Sequence, residues 1–304
     1  MDSTELEWKA DMLPDFEARS ILGGTLVRPQ TQTAQPRYAV VHVHGYNDYF
    51  FQRHLAQAFT ATGNAFYAVD LDRAGRSLKN SDIPHYMADA AEQGVGIAAA
   101  VGAVQRAHPG VPVVVHAHST GGLTAAIWAH DQRPSIAGLI LNSPLFGLQA
   151  THGGPLKRTV ALALLKGRPL TVVRNAPSAY ATRLAQQWEF DTSLKRPQGV
   201  PVRAGWLAAV TQAQRRLRQG LSITLPVLVA HSDSCGPDRE DNPLADVQDT
   251  VVDTRAIAAL APRLGPHVST VVIPHGVHDL SLSAPDVRQT YLDAVIGWLD
   301  SLAS

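Results

Sequence analysis

The sequence predicts an α/β fold in which a mostly parallel sheet is covered by helices on both faces. Two observations carry that expectation. Short runs made wholly of apolar residues recur along the 304-residue chain, and segments with helical apolar spacing lie between them. A strand with no polar face is buried on both sides, and alternation with amphipathic helices is the pattern of an α/β domain.

In chain order, Phe16 to Leu22 and Thr25 to Val27 flank Gly23-Gly24 and read as an antiparallel hairpin. The core strands follow as Tyr38–Val43, Ala65–Val69, Val111–Val115, Ile136–Leu141, Pro226–Ala230 and Val268–Ile273. Between about Tyr86 and Ala107 the residues Ala90, Gly94, Ile97, Val101 and Val104 fall on one helical face. Ser283-Ala284-Pro285-Asp286 resembles a helix start with a capping carboxylate. Val287, Tyr291, Ala294, Val295 and Trp298 then form a stripe that docks the last helix on the sheet.

The rhythm breaks between about Phe146 and Gly220. That stretch holds the apolar run Leu162 to Leu165, Trp188, Trp206 and the basic cluster Arg215-Arg216-Leu217-Arg218. It reads as a mostly helical insertion, 146–220, lying over the C-terminal ends of the strands, between core segments 1–145 and 221–304. The alternative is a further set of core helices. The arginines read as a solvated helix face.

Composition narrows the function. Lys+Arg and Asp+Glu each number 26, so no net field favours nucleic acid, and no nucleic-acid partner is expected. The single cysteine, Cys235, cannot form an internal disulfide, which fits a reducing compartment. It sits in the loop-like Ser232–Pro237 and reads as a thiol with no catalytic role. The acidic Met1–Glu7 lacks the basic and apolar regions of a signal peptide. No apolar run approaches the roughly 18 residues that span a bilayer. The expectation is a soluble, cytoplasmic protein with no integral membrane segment.

The chemistry concentrates in Val113-Val114-Val115-His116-Ala117-His118-Ser119-Thr120-Gly121-Gly122. An apolar β-branched run ends in a serine among small residues, and a helix-compatible segment follows at once. A strand turning sharply into a helix exposes a serine hydroxyl and aims the helix N-terminus at the same spot. A serine hydroxyl becomes nucleophilic when a base takes its proton and an acceptor holds that base in the right tautomer. After the last core strand comes Pro274-His275-Gly276-Val277-His278-Asp279-Leu280, which supplies two histidines just before the terminal helix.

With these residues in place, the chain resembles the serine hydrolases of the α/β-hydrolase superfamily, and most the monoacylglycerol lipase or lysophospholipase branch. Four separated motifs carry the resemblance across nearly the whole chain. His44-Gly45-Tyr46-Asn47-Asp48 resembles the family's oxyanion loop. Asp70-Leu71-Asp72-Arg73-Ala74-Gly75-Arg76-Ser77 resembles its D-x-R-G-x-G-x-S turn, with Asp-Arg where Arg-Gly is usual. Ala117-His118-Ser119-Thr120-Gly121-Gly122 resembles G-H-S-x-G-G with alanine for the first glycine, and His278 falls where the family's catalytic histidine does.

The acid is the departure. The family places it in H-G-x-x-D, often followed by a valine and a second carboxylate. Here His231-Ser232-Asp233-Ser234-Cys235 starts the same way with Cys235 in the acid's place, and the tail reappears as Asp249-Thr250-Val251-Val252-Asp253. The economical reading is an insertion of about Gly236 to Gln248 that displaces the acid to Asp249. Asp233 is the rival because it needs no insertion; Asp246 and Asp253 follow. His275 reads as a loop residue near the site.

His42-x-His44 and His116-x-His118 each put two imidazoles on one face of a strand, a geometry that could bind zinc. A metallo-hydrolase of the H-x-H-x-D-H kind needs Asp where Tyr46 stands, so no metal site is expected, nor any cofactor. The resemblance implies Ser119 as nucleophile, His278 as base, Asp249 as its orienting acid, and the N–H groups of Tyr46 and Thr120 as the oxyanion hole. The expected reaction is carboxylester hydrolysis through an acyl-enzyme, on a monoacyl lipid or other hydrophobic small-molecule ester. Acyl transfer or amide cleavage by the same residues, and a non-catalytic binding protein on this fold, are the alternatives.

Overall fold

A computed structural model describes residues 7–148, 167–174 and 178–302. The hairpin around Gly23-Gly24 forms as Phe16–Ile21 (β2) and Gly24–Pro29 (β3), preceded by a two-residue strand, Lys9–Ala10 (β1). The first core strands are Ala39–Val43 (β4), Ala65–Leu71 (β5), Val113–His118 (β6) and Gly138–Asn142 (β7). Val172–Arg174 (β8) and Val202–Arg203 (β9) pair separately, and Val227–Ser232 (β10) and Val268–Ile273 (β11) complete the set. Nine strands join in one sheet in the order β1-β2-β3-β5-β4-β6-β7-β10-β11. β1, β2 and β3 are antiparallel, β3 joins β5 antiparallel, and β5 through β11 run parallel. The fold is that of an α/β-hydrolase.

The described helices are Arg53–Ala61 (α1), Ala90–Ala107 (α2), Ser119–Gln132 (α3), Ala179–Gln187 (α4), Ala204–Gln219 (α5), Thr254–Leu260 (α6) and Pro285–Ser301 (α7). Each face of the sheet has its own core. On one, Val41, Val115 and Leu141 pack with Ile97 and Val104 of α2, Leu123 of α3, Val210 of α5 and Ile257 of α6. On the other, Val40, Phe66 and Val114 pack with Leu55 and Phe59 of α1 and Tyr291, Val295 and Leu299 of α7. Every residue of β4 to β7 is buried, because side chains alternate between the two cores. Each large apolar side chain so buried contributes about 1.5–3 kcal/mol.

Three details differ from the sequence reading. β11 is the edge strand, so Ser269, Thr270 and Val272 are exposed despite the apolar run. The terminal helix is capped at Ala284 with no side-chain bond; Pro285 takes the first turn, and Asp286 acts there only as a charge near the helix N-terminus. Strand character within 146–220 is present as the β8–β9 pair, joined to α4 and α5 among the described residues. The Leu162 to Leu165 run lies outside the described residues. Arg216 pairs with Asp131 on the surface.

Candidate active site

Ser119 is the hinge between β6 and α3 and has φ +54°, a left-handed conformation that a side chain adopts only when its surroundings dictate it. The small residues around it are required by contact. A Cβ on Gly121 would collide with the His44 carbonyl oxygen, and one on Gly122 would stand 3.0 Å from Pro144. Ala117 is fully buried and accommodated where a glycine is usual.

His278 Nε2 lies 2.9 Å from Ser119 Oγ, and His278 Nδ1 lies 2.9 Å from Asp249 Oδ2. Asp249 is completely buried, and its Oδ1 accepts the N–H groups of Val251 (2.7 Å) and Val252 (2.9 Å). With Oδ1 so occupied, Oδ2 is turned to the imidazole and holds a proton on Nδ1, leaving Nε2 as acceptor toward the serine. The 236–248 segment loops out and returns: Asp249 N–H donates to the Ser234 carbonyl and Gly236 N–H to the Asp249 carbonyl. Asp249 therefore pairs with Cys235 as neighbouring strand residues do, and stands beside the chain position that Cys235 occupies.

The other acidic candidates are elsewhere. Asp233 is exposed and accepts the His275 N–H at 3.1 Å. Asp246 meets Arg183 and Gln187 at the surface, and Asp253 caps α6 through the Arg255 N–H. His275 is exposed, in a turn with φ +62°. The Cys235 thiol is 3.8 Å from Asp253.

His42, His44 and His116 hold the strand ends together. His42 and His116 share a bond between their Nδ1 atoms at 2.8 Å, and His116 Nε2 meets the Tyr291 hydroxyl at 2.6 Å. Burial pushes His116 down to about 4 and His42 well below the imidazole range, so both rings are neutral. His44 Nδ1 donates to the Gly45 carbonyl, and its Nε2 accepts the Leu71 N–H, tying the loop after β4 to the end of β5. Gly45 packs on Ser119, with room for no Cβ (2.9 Å from the serine Cβ), so the loop after β4 lies directly against the nucleophile's turn.

The Asp70–Ser77 turn braces this loop. Asp70 accepts the Phe50 and Arg76 N–H groups and the Arg76 guanidinium, which also binds the Phe50 carbonyl and grips Asp11 with two bonds. Gly75, at φ +47°, allows the closure because a Cβ there would strike Asp70.

Behind His278 lies a polar group that sequence reasoning missed. Asp279 accepts from Asn142 (2.8 Å), Gln52 (3.2 Å) and the N–H and hydroxyl of Ser281. Burial opposes its ionisation, but the hydrogen bonds from Ser281 and Asn142 favour the carboxylate and hold it below the usual carboxylate range. Asp279 N–H donates to the hydroxyl of Tyr180 on α4, whose ring meets the His278 ring edge-on at 5.7 Å. His118 lies against His278 at 4.8 Å and is kept neutral by burial, with Asp279 partly offsetting. Ligand atoms of Asp48, His118 and Asp279 lie within 4.8 Å of one another. The Lys195 ammonium sits 2.7 Å from Asp48 and already pairs with that carboxylate. Asp279 directly follows the candidate base, which is a signal; Lys195 and Tyr180 carried none.

A strand-to-helix serine, a hydrogen-bonded imidazole and a buried carboxylate on this sheet define the class as α/β-fold hydrolases. Residues 34–283 match the model of one family within it, described as serine aminopeptidase, S33. The chain belongs to that family. Among solved structures, it is similar to a soluble variant of monoglyceride lipase from Saccharomyces cerevisiae in complex with a substrate analogue, with TM-score 0.69, 18% identity and 96% of each chain covered. It is similar to the monoacylglycerol lipase of Paleococcus ferrophilus at TM-score 0.68 and 18% identity, covering 90% of this chain and 98% of that one. A thermostable carboxyl esterase from Bacillus coagulans in complex with glycerol follows at 0.67 and 16%, covering 97% and 100%. These likenesses concern the fold. Comparison with curated proteins gives no sequence match. Among the described residues no helix is long and apolar enough to cross a membrane.

Proposed function

We propose that the protein is a serine carboxylester hydrolase acting through an acyl-enzyme, with monoacyl lipids or similar hydrophobic esters as substrates. The observation that carries the reading is the continuous line Ser119 Oγ–His278–Asp249 at 2.9 Å per step. Ser119 attacks the ester carbonyl while His278 Nε2 takes its proton. The tetrahedral oxyanion is held by the N–H groups of Tyr46 and Thr120 at the mouth of α3. His278 then gives its proton to the leaving alcohol, and water activated by the same ring releases the acid. Asp249 orients the ring and stabilises the imidazolium, and no step needs a cofactor.

The preference for hydrophobic esters is supported by the apolar cluster of Tyr49, Phe51, Tyr180, Leu184, Val277 and Leu282, whose Tyr180, on α4, meets the His278 ring. The family's description favours a second reading, cleavage of an aminoacyl amide by the same residues. A series of p-nitrophenyl esters and monoacylglycerols of increasing chain length, run beside aminoacyl p-nitroanilides, tests both. Rising kcat/KM with acyl length is the expected result. Turnover of the anilides with little ester hydrolysis would replace the proposal with the amidase reading.

A further inference from the structure

We infer that the 191–201 segment is a strap that positions the oxyanion loop, with Asn47, Asp48 and Lys195 as positioning residues for the Tyr46 N–H. The inference rests on the proposed role of that amide. Four consecutive loop residues are each tied to this one segment. The Tyr46 hydroxyl donates to the Pro201 carbonyl (3.1 Å). Asn47 pairs with the Arg196 backbone in both directions, Nδ2 to the carbonyl and Oδ1 from the N–H, each at 2.9 Å. Lys195 Nζ donates to Asp48 Oδ1 at 2.7 Å, and the Tyr49 hydroxyl accepts the Asp191 N–H at 2.8 Å. All these bonds join residues more than 140 positions apart, so the loop's outer side is held from across the chain.

The loop is pinned on its inner side as well. Gly45 rests on Ser119, and His44 bonds the end of β5. Asn47 at φ +53° marks the bend that turns the loop between these two holds. An oxyanion donor acts only within a few tenths of an ångström of its target, and such sites are built from groups fixed on both sides. The nature of the central bond points the same way. Lys195 and Asp48 are 8% and 3% exposed, and the ammonium faces the adjacent Phe51 and Phe190 rings, 5.6 and 5.9 Å from their centres. A buried ion pair adds little stability over an apolar pair of the same size, whereas it fixes which group meets which. The pair therefore contributes register, and the element whose register it fixes carries the Tyr46 amide.

The test compares Lys195→Met, Asp48→Asn, the double variant and Asn47→Gly, which keeps the left-handed bend while deleting the side-chain pairing. Ester kcat and KM, melting temperature and the Ki of a trifluoromethyl ketone, which forms the tetrahedral adduct, are measured for each. Each single variant is expected to lose about tenfold or more in kcat with KM within about threefold. The ketone Ki should rise by the factor that kcat/KM falls. The double variant, freed of the uncompensated charge, should regain its melting temperature and not its kcat. Recovery of kcat along with stability, or a kcat within about twofold of wild type in any folded single variant, would overturn the inference. If Lys195→Met does not fold, Asn47→Gly decides by the same criteria. Fluorophosphonate labelling of the wild type at Ser119 separates the two levels: a labelled enzyme indifferent to these changes sinks the strap alone, whereas an unlabelled wild type sinks the functional reading beneath it.

Discussion

Replacing Asp249 with asparagine exchanges one oxygen for an NH2 group and should nearly abolish turnover. Asp249 Oδ1 receives two backbone N–H groups, so an asparagine must present its carbonyl oxygen there and turn its NH2 toward His278. Flipping the amide would set its NH2 against those two donors. The NH2 in the Oδ2 position faces Nδ1 at 2.9 Å and can be accommodated only if Nδ1 gives up its proton. The imidazole then carries hydrogen on Nε2, pointing a donor at Ser119 Oγ where an acceptor is needed. The comparable change in a serine protease lowers kcat about 10⁴-fold, roughly 5 kcal/mol of transition-state stabilisation. The assay is kcat for a p-nitrophenyl ester at neutral pH, with the melting temperature checked for folding. Asp233→Asn, at an exposed carboxylate bonded to the His275 N–H, should retain activity within about twofold. An Asp249→Asn enzyme within about tenfold of wild type, or a collapse in Asp233→Asn, would refute the tautomer argument.

Three further outcomes are expected. Thr120→Pro removes one oxyanion donor and should lower kcat by about 10²–10³, with KM little changed; equal kcat would place the hole elsewhere. Arg76→Met leaves Asp70 and Asp11 as buried carboxylates without their counter-charge and should cost about 3–5 kcal/mol by urea unfolding, whereas an unchanged midpoint would show the bridge to be idle. His116, held near 4 by burial, binds fewer protons folded than unfolded between pH 6.5 and 4. Its contribution is therefore fully present above pH 6.5 and is lost as the pH falls toward 4, of the order of 3 kcal/mol. Urea midpoints across that range should fall less steeply for His116→Gln, and an identical slope would contradict the assignment.

The positions of the core strands were legible because burial on two faces leaves a continuous apolar run, and β4, β5, β6, β7 and β10 are buried along their whole length. The same signal overstated β11, since an apolar run cannot distinguish an inner strand from an edge. β1, two exposed residues, and the β8–β9 pair have no apolar pattern to read. Ser119, His278 and the loop after β4 were visible because each sits in a short local motif at a strand end. Asp249 was harder, because its position beside Cys235 depends on a loop closing over 236–248, and closure leaves its mark only in where the motif's tail resumes. Lys195 and Tyr180 were invisible for a related reason. Each meets its partner, Asp48 or Asp279, across about half or a third of the chain, and nothing local to either residue announces it.

The proposed chemistry begins with Ser119 as an activated nucleophile. Intact-mass analysis after reaction with a fluorophosphonate tests it most directly, with the adduct located by peptide sequencing. One phosphonyl group per chain is expected, on Ser119, absent in Ser119→Ala and added more slowly by orders of magnitude in His278→Ala. A folded wild-type protein that takes up no label, or that is labelled at another residue, would contradict it.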